Sequence, residues 1–382
     1  MNITEILVPA QEIAWLPWAV QYFFYIGSSY AAAILFVIAL LLKNQTSHSF
    51  RSALVLVMAI GAIVGPLALT GDLHQPGRAW HFYAHLTPWS WMSLGSIFLP
   101  IFSGLTVITA WLYLRNDIAK LRDNSNLLLR KLAWLTLGNW QVSAKQLLVV
   151  AITTAISGLT IALYTGAEIA VIESRSLWNQ PASPLIWFVT SFLAAVGLTL
   201  FVWRLFPSGQ MPIEKALNEK VPSEQKKLTT CDTKILRNTI GLSGVLALIL
   251  VPIWASNNLT FSLYQDSQWI ANIAMMTTSL LGCFVLSFMV SRLTATWLGC
   301  AALSFTTLTA AWVTRWVTMM EVQTIPRFDA GSYPYELPLN GSGLLGIIGM
   351  IGLWLALALF ASEVVSTRTP SSLSKSNPMN SH

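Results

Sequence analysis

Long apolar runs recur along almost the whole chain, and no other feature limits its possible folds so sharply. A helix rising ~1.5 Å per residue needs roughly 18 or more apolar residues to cross ~30 Å of hydrocarbon. Runs of this kind lie at Trp18–Leu42, Ser52–Leu69, Trp89–Leu114, Leu147–Ala170, Leu185–Leu205, Ile240–Trp254, Ile270–Val290, Ala295–Met319 and Leu344–Phe360, the sixth being the shortest. They predict an all-α, polytopic membrane protein with about nine transmembrane helices, expected in a bacterial inner membrane. Composition points the same way, because 54% hydrophobic and only 10% charged residues fall outside the range of soluble globular chains.

The segment ahead of the first run, Met1–Pro17, carries Glu5 and Glu12 and no Lys or Arg. A cleaved signal peptide has a basic start, so this first helix is expected to remain in the mature protein. Cys231, Cys283 and Cys300 are scattered singly, without the close spacing that metal or cluster ligation uses, and read as packing or loop residues.

Basic residues sort by loop. Lys43 and Arg51, then Arg115 through Lys145, then Lys215 through Arg237, then Arg292, then Arg368 and Lys375 fall on one side, whereas the other holds Arg78, Arg175 and Arg327, with Arg315 at a helix end. The positive-inside rule makes the first set cytoplasmic, which puts the N-terminus outside and the C-terminus inside. The net charge of +6 is thereby accounted for without a nucleic-acid partner. The expected organisation is an N-terminal bundle over 1–206, a charged cytoplasmic linker over 207–236, a C-terminal bundle over 237–366 and a disordered polar tail over 367–382.

An ionisable group inside a bilayer costs a few kcal/mol, so its position is informative. Here such groups gather at the outer ends of helices: Gln21 on the first, Asp72 and His74 just past the second, Tyr164 and Glu168 on the fourth, Arg315 and Glu321 on the eighth. Tyr164 and Glu168 are four apart and share a helix face. Glu168 has two readings, a site residue or a partner of Arg175. The stretch from Gly71 through His74, Arg78, His81 and His85 to Trp91 is the densest in proton-active groups, and a histidine beside a carboxylate, as in Asp72 with His74, can take protons near neutral pH. Tryptophans 15, 80, 178, 269 and 316 read singly as interface-belt residues. No histidine falls inside a predicted helix, as an axial haem ligand would, and the methionines read as core filler.

Four segments carry a resemblance to a known family: Ile13-Ala14-Trp15-Leu16-Pro17-Trp18-Ala19-Val20-Gln21-Tyr22-Phe23-Phe24; Asp72-Leu73-His74-Gln75 through Trp80-His81-Phe82-Tyr83 to Thr87-Pro88-Trp89-Ser90-Trp91-Met92; Tyr164-Thr165-Gly166 with Glu168; and Val322-Gln323-Thr324-Ile325-Pro326-Arg327-Phe328. They resemble the NrfD/polysulfide-reductase-type membrane subunits, and within these the tetrathionate reductase branch. The resemblance implies two four-helix bundles plus an extra helix. It implies oxidation of menaquinol near the outer face without haem or an iron–sulfur cluster in this chain. Electrons would leave for a periplasmic four-cluster ferredoxin-like iron–sulfur subunit and, through it, a molybdopterin catalytic subunit. Quinone contacts are expected at Tyr164 and near Gln21, with Glu168 and Arg315 beside them. Because an amide cannot accept a proton, that role falls to Asp72 or His74. The loop from Glu321 to Asn340 is the expected docking platform for the iron–sulfur partner. The rival readings are a membrane subunit serving polysulfide, thiosulfate or sulfite, a purely structural anchor, and a secondary transporter, whose site would sit at the bilayer midplane.

Overall fold

The computed structural model describes residues 13–73, 75–124, 126–206, 228–256, 263–325 and 335–365. Among them nine helices are long and apolar enough to span a membrane. They are α1 (Pro17–Leu41), α2 (His48–Asp72), α3 (Trp91–Lys120), α4 (Ala144–Ala170), α5 (Ala182–Leu205), α6 (Thr230–Ser256), α7 (Ser267–Ser287), α8 (Trp297–Trp316) and α9 (Leu344–Val364). Most of the expected linker, 207–227, and the tail lie outside the described residues.

Local chemistry sets the helix starts. Pro17 opens α1 at a position whose missing N–H is not needed. Ser47, Ser143, Asp266 and Thr296 accept backbone N–H groups at the starts of α2, α4, α7 and α8, and Ser143 with Gln146 completes a capping box. The shortest predicted run proves to be part of a long helix, because α6 begins at Thr230 on polar residues, well before Ile240. Arg315 does not end its helix. A π-turn over Val317–Glu321 and a further turn over Val322–Thr324 continue α8.

α1 to α4 pack as one ring of four, α5 to α8 as a second, and α9 leans on α2, α1 and α5. The rings join along α1 and α5, which with α2 are the most deeply buried spans. Without a hydrophobic drive between helices in lipid, close approach and polar contacts hold such pairs together. At Gly61 a Cβ would lie 2.7 Å from the carbonyl oxygen of Tyr25, so α2 meets α1 with no side chain between the two backbones. Pro66 lacks the N–H that would bond the Ala62 carbonyl, and Ser103 of α3 donates to that carbonyl instead at 2.8 Å. Asp232, buried in the first turn of α6, accepts the Ser47 N–H at 3.1 Å and so ties the second ring to the α1–α2 turn.

Trp178 and Trp269 are core residues rather than interface-belt residues. The Trp178 indole donates to the Thr318 carbonyl at 2.6 Å, and Trp187 donates to the Thr318 hydroxyl at 2.7 Å, so the π-turn is held from both sides. Cys283 and Cys300 are buried packing residues. His48 opens α2 rather than lying in a loop.

Candidate functional site

The antiparallel packing of the first ring brings the start of α1, the end of α2, the start of α3 and the end of α4 to one end of the molecule. Asp72 is the last residue of α2, and its Oδ1 accepts the Leu16 N–H at 2.9 Å, just ahead of Pro17. A carboxylate there faces the positive end of the α1 dipole. Gln323, past the π-turn of α8, exchanges two hydrogen bonds with Trp15, at 2.9 and 3.0 Å. The lead-in to α1 is thus fixed to the ends of α2 and α8, which joins three of the four segments singled out above.

The remaining one, on α4, faces inward at the same end. Tyr164 and Glu168 are both buried, and α1 sets the buried Tyr22 against them, within electrostatic reach of each. Glu168 also feels the charge of Asp72. The Tyr22 hydroxyl and both Glu168 carboxylate oxygens are buried and form no hydrogen bond of good geometry among the described residues, with Tyr164 the one side chain within reach of both. Buried polar atoms are nearly always partnered, and each one left alone costs about 1–3 kcal/mol. Several in one place mark a position where a hydrogen-bonding molecule from outside the chain fits. Across from them Gly95 on α3 makes room for Tyr164, since a Cβ at that position would lie 2.1 Å from the Tyr164 ring. Two phenols that donate beside a carboxylate that accepts can bind a polar ring oxygen and remove a proton from it.

Gln21 is also buried with both amide atoms unpartnered among the described residues, but it leaves α1 about 100° away from Tyr22. It lies a turn from Phe24 and Tyr25, which line an apolar groove of about 710 Å³ between α1, α5, α8 and α9. Arg315 is fully buried and every nitrogen of its guanidinium has an acceptor: Phe23 O, Thr190 Oγ1, Ala311 O, Trp187 O and Ser191 Oγ, at 2.6–3.2 Å. It fastens α1 and α5 to α8. Arg175 donates to the carbonyls of Val322 and Ile325, and no Glu168–Arg175 hydrogen bond forms.

His74 lies outside the described residues, as do 326–334 of the expected docking loop. Glu321, at the near edge of that loop, accepts from the Trp316 indole at 3.2 Å and the Gln268 amide at 3.2 Å. The stretch after His74 and the start of α3 line an open cavity of about 430 Å³, with Gln75, Arg78, His81, His85 and Ser93 among its walls. Ser93, which lines the cavity, lies two residues before Gly95 in the first turns of α3, so the cavity and the buried cluster share this end of the ring. Tyr22 and Gly95 were not singled out from sequence. Both owe their place to helix pairing, and a tyrosine among Gln21, Phe23, Phe24 and Tyr25 carries no local mark.

Residues 7–215 match the family described as polysulphide reductase, NrfD. Over 379 residues the chain is 33% identical to the C subunit of tetrathionate reductase from Salmonella typhimurium strain LT2, covering 96% of each protein. Over 220 residues it is 23% identical to the C subunit of selenate reductase from Mesobacillus selenatarsenatis, covering 54% of this chain and 51% of that protein.

Proposed function

The chain belongs to the NrfD polysulphide reductase family, and on that premise we propose that it is the quinol-oxidising membrane subunit of a tetrathionate reductase in a bacterial inner membrane. The observation that carries this reading is the buried, unpartnered cluster of Tyr22 and Glu168 beside Tyr164 at one end of the first ring. Quinol, the substrate, gives up two electrons and two protons as it becomes quinone. Tyr22 and Tyr164 hold its ring oxygens, and Glu168 takes the two hydroxyl protons in turn, handing on the first before it accepts the second. Asp72, near the end of α2 and in electrostatic contact with Glu168, passes the proton outward, with His74 and the histidines of the adjoining cavity as the next acceptors. The electrons leave for an iron–sulfur subunit docked against this end, through the loop from Glu321 to Asn340, and reach a molybdopterin catalytic subunit. Relatives named as C subunits of reductases support that division of labour. So does the charge asymmetry, since the basic loops gather at the opposite end.

The test compares membranes with and without this chain for tetrathionate reduction, driven once by a menaquinol analogue and once by a dye that feeds the catalytic subunit directly. Loss of the quinol-driven activity alone is the expected result. Unchanged quinol-driven activity would leave the chain a structural anchor.

Gly95→Ala probes the pocket without touching an ionisable group. The new methyl displaces the Tyr164 ring, and a displacement of about 1 Å at a reacting centre lowers rate by up to ~10²-fold. Quinol-driven kcat/KM should fall accordingly while dye-driven activity holds. An unchanged kcat/KM would separate Tyr164 from quinol binding.

A further inference from the structure

At the opposite, basic end of the first ring a cavity of about 500 Å³ opens between the α1–α2 turn, the last turns of α3 and the start of α4. Its walls divide by chemistry. Leu41, Leu112 and Leu148 form an apolar side, and Lys43, Arg51 and Arg115 stand at the helix ends with His48, Asn116 and Gln141. The nearby carboxylate is already committed, since Asp117 pairs with His48 at 2.8 Å and with Lys120 at 3.1 Å. Arg115 is occupied by uncharged groups, donating to the carbonyls of Thr136, Gly138 and Trp140 and stacking on the Trp140 ring. Its charge is therefore not neutralised.

Arg51 is held in place differently. Its Nε donates to the Tyr113 hydroxyl at 3.1 Å, and its Nη1 donates to Lys43 O, Thr46 O and Thr46 Oγ1 at 2.5–2.9 Å. Its Nη2 takes no acceptor among the described residues, and neither does the exposed Lys43 ammonium. Ala144, the first residue of α4, also lines the cavity and brings the positive end of that helix toward it. Basic residues scattered along a membrane surface are ordinary. A guanidinium pre-oriented by four bonds, with a donor left over, above a leucine-lined wall is a built site.

We propose that this cavity binds one anionic phospholipid. Its phosphate lies on Lys43 and Arg51 Nη2, within the field of Arg115, and an acyl chain lies along Leu41, Leu112 and Leu148. Basic pockets between transmembrane helices take acidic lipid head groups, whose phosphate and acyl chains satisfy charge and apolar surface together. The site is independent of quinol chemistry, which the first ring carries at its other end.

Native mass spectrometry of the detergent-purified full chain, delipidated and given equal phosphatidylglycerol and phosphatidylcholine, tests it. One phosphatidylglycerol should be retained in preference. Each cation near an acidic lipid contributes about five-fold, so Lys43→Gln should lower that preference about five-fold and Lys43→Gln with Arg51→Gln roughly 25-fold. Arg51 also orders the α1–α2 turn, so if the double variant does not fold, Lys43→Gln alone still decides, because its side chain makes no hydrogen bond among the described residues. Equal retention of both lipids, retention unmoved by Lys43→Gln, or displacement by inorganic phosphate alone would overturn the proposal.

Discussion

Glu168→Gln is expected to lower quinol-driven turnover by ~10²–10⁴-fold, the usual contribution of a positioned proton acceptor, while reduction driven by a dye through the catalytic partner stays unchanged. The substitution keeps the shape of the side chain and removes its ability to take a proton. It should not unfold the protein. Neither oxygen forms a hydrogen bond of good geometry among the described residues, so an amide of the same shape removes little that holds the fold together. Arg175 is already engaged with the carbonyls of Val322 and Ile325. Asp72→Asn should have a smaller effect in the same assay, because an amide oxygen still accepts the Leu16 N–H and the proposed route makes Asp72 the second acceptor after Glu168. Normal quinol-driven turnover in Glu168→Gln, at normal protein level, would remove the residue from the proton route.

What the sequence made legible follows from range. An apolar run of spanning length needs no partner to be recognised, and all nine predicted spans are present. Their ends depended on polar turns that hydropathy does not see. α6 gains its first turns from Thr230 onward because Asp232 and Thr229 bond one another's backbones there. α8 runs past Arg315 because Trp178 and Trp187 hold Thr318 in the π-turn, two contacts that come from outside the helix. The same absence of long-range information made Arg315 read as a residue closing its helix, although the helix continues past it and its side chain is fully buried, and made Trp178 look like an interface tryptophan.

The candidate site divides along the same line. Tyr164 with Glu168 was visible as a polar pair at helical spacing, and Asp72 as a carboxylate at the edge of an apolar run. Tyr22 and Gly95 became visible with the antiparallel pairing of α1 with α4 and α3 with α4. Gln21 and Tyr22 are chain neighbours about 100° apart on the helix; the amide stood out in the sequence by its polarity, whereas the contact of Tyr22 with Tyr164 and Glu168 came only with the packing of α1 on α4.

The arrangement around Arg315 predicts that the conservative substitution is the worse one. Four of its hydrogen bonds cross between helices, to Phe23 O of α1 and to Trp187 O, Thr190 and Ser191 of α5. Interhelical hydrogen bonds in membranes average about 0.6 kcal/mol each, so losing four lowers stability by roughly 2–3 kcal/mol. Gly27 packs at the same point, where a Cβ would lie 2.8 Å from the guanidinium and 2.6 Å from Ser191, which leaves little room for the helices to readjust. Against this stands the desolvation of a cation with no carboxylate beside it among the described residues. Arg315→Lys keeps that desolvation cost and, with a single point of donation in place of the fork, cannot reach acceptors on both α1 and α5 as the guanidinium does, so the thermal stability of the purified chain should fall by most of that amount. Arg315→Met loses the bonds but also removes the buried charge, and should fall by less. The reverse order, with Lys tolerated and Met losing quinol-driven activity without losing stability, would mean that the charge itself acts on the quinol.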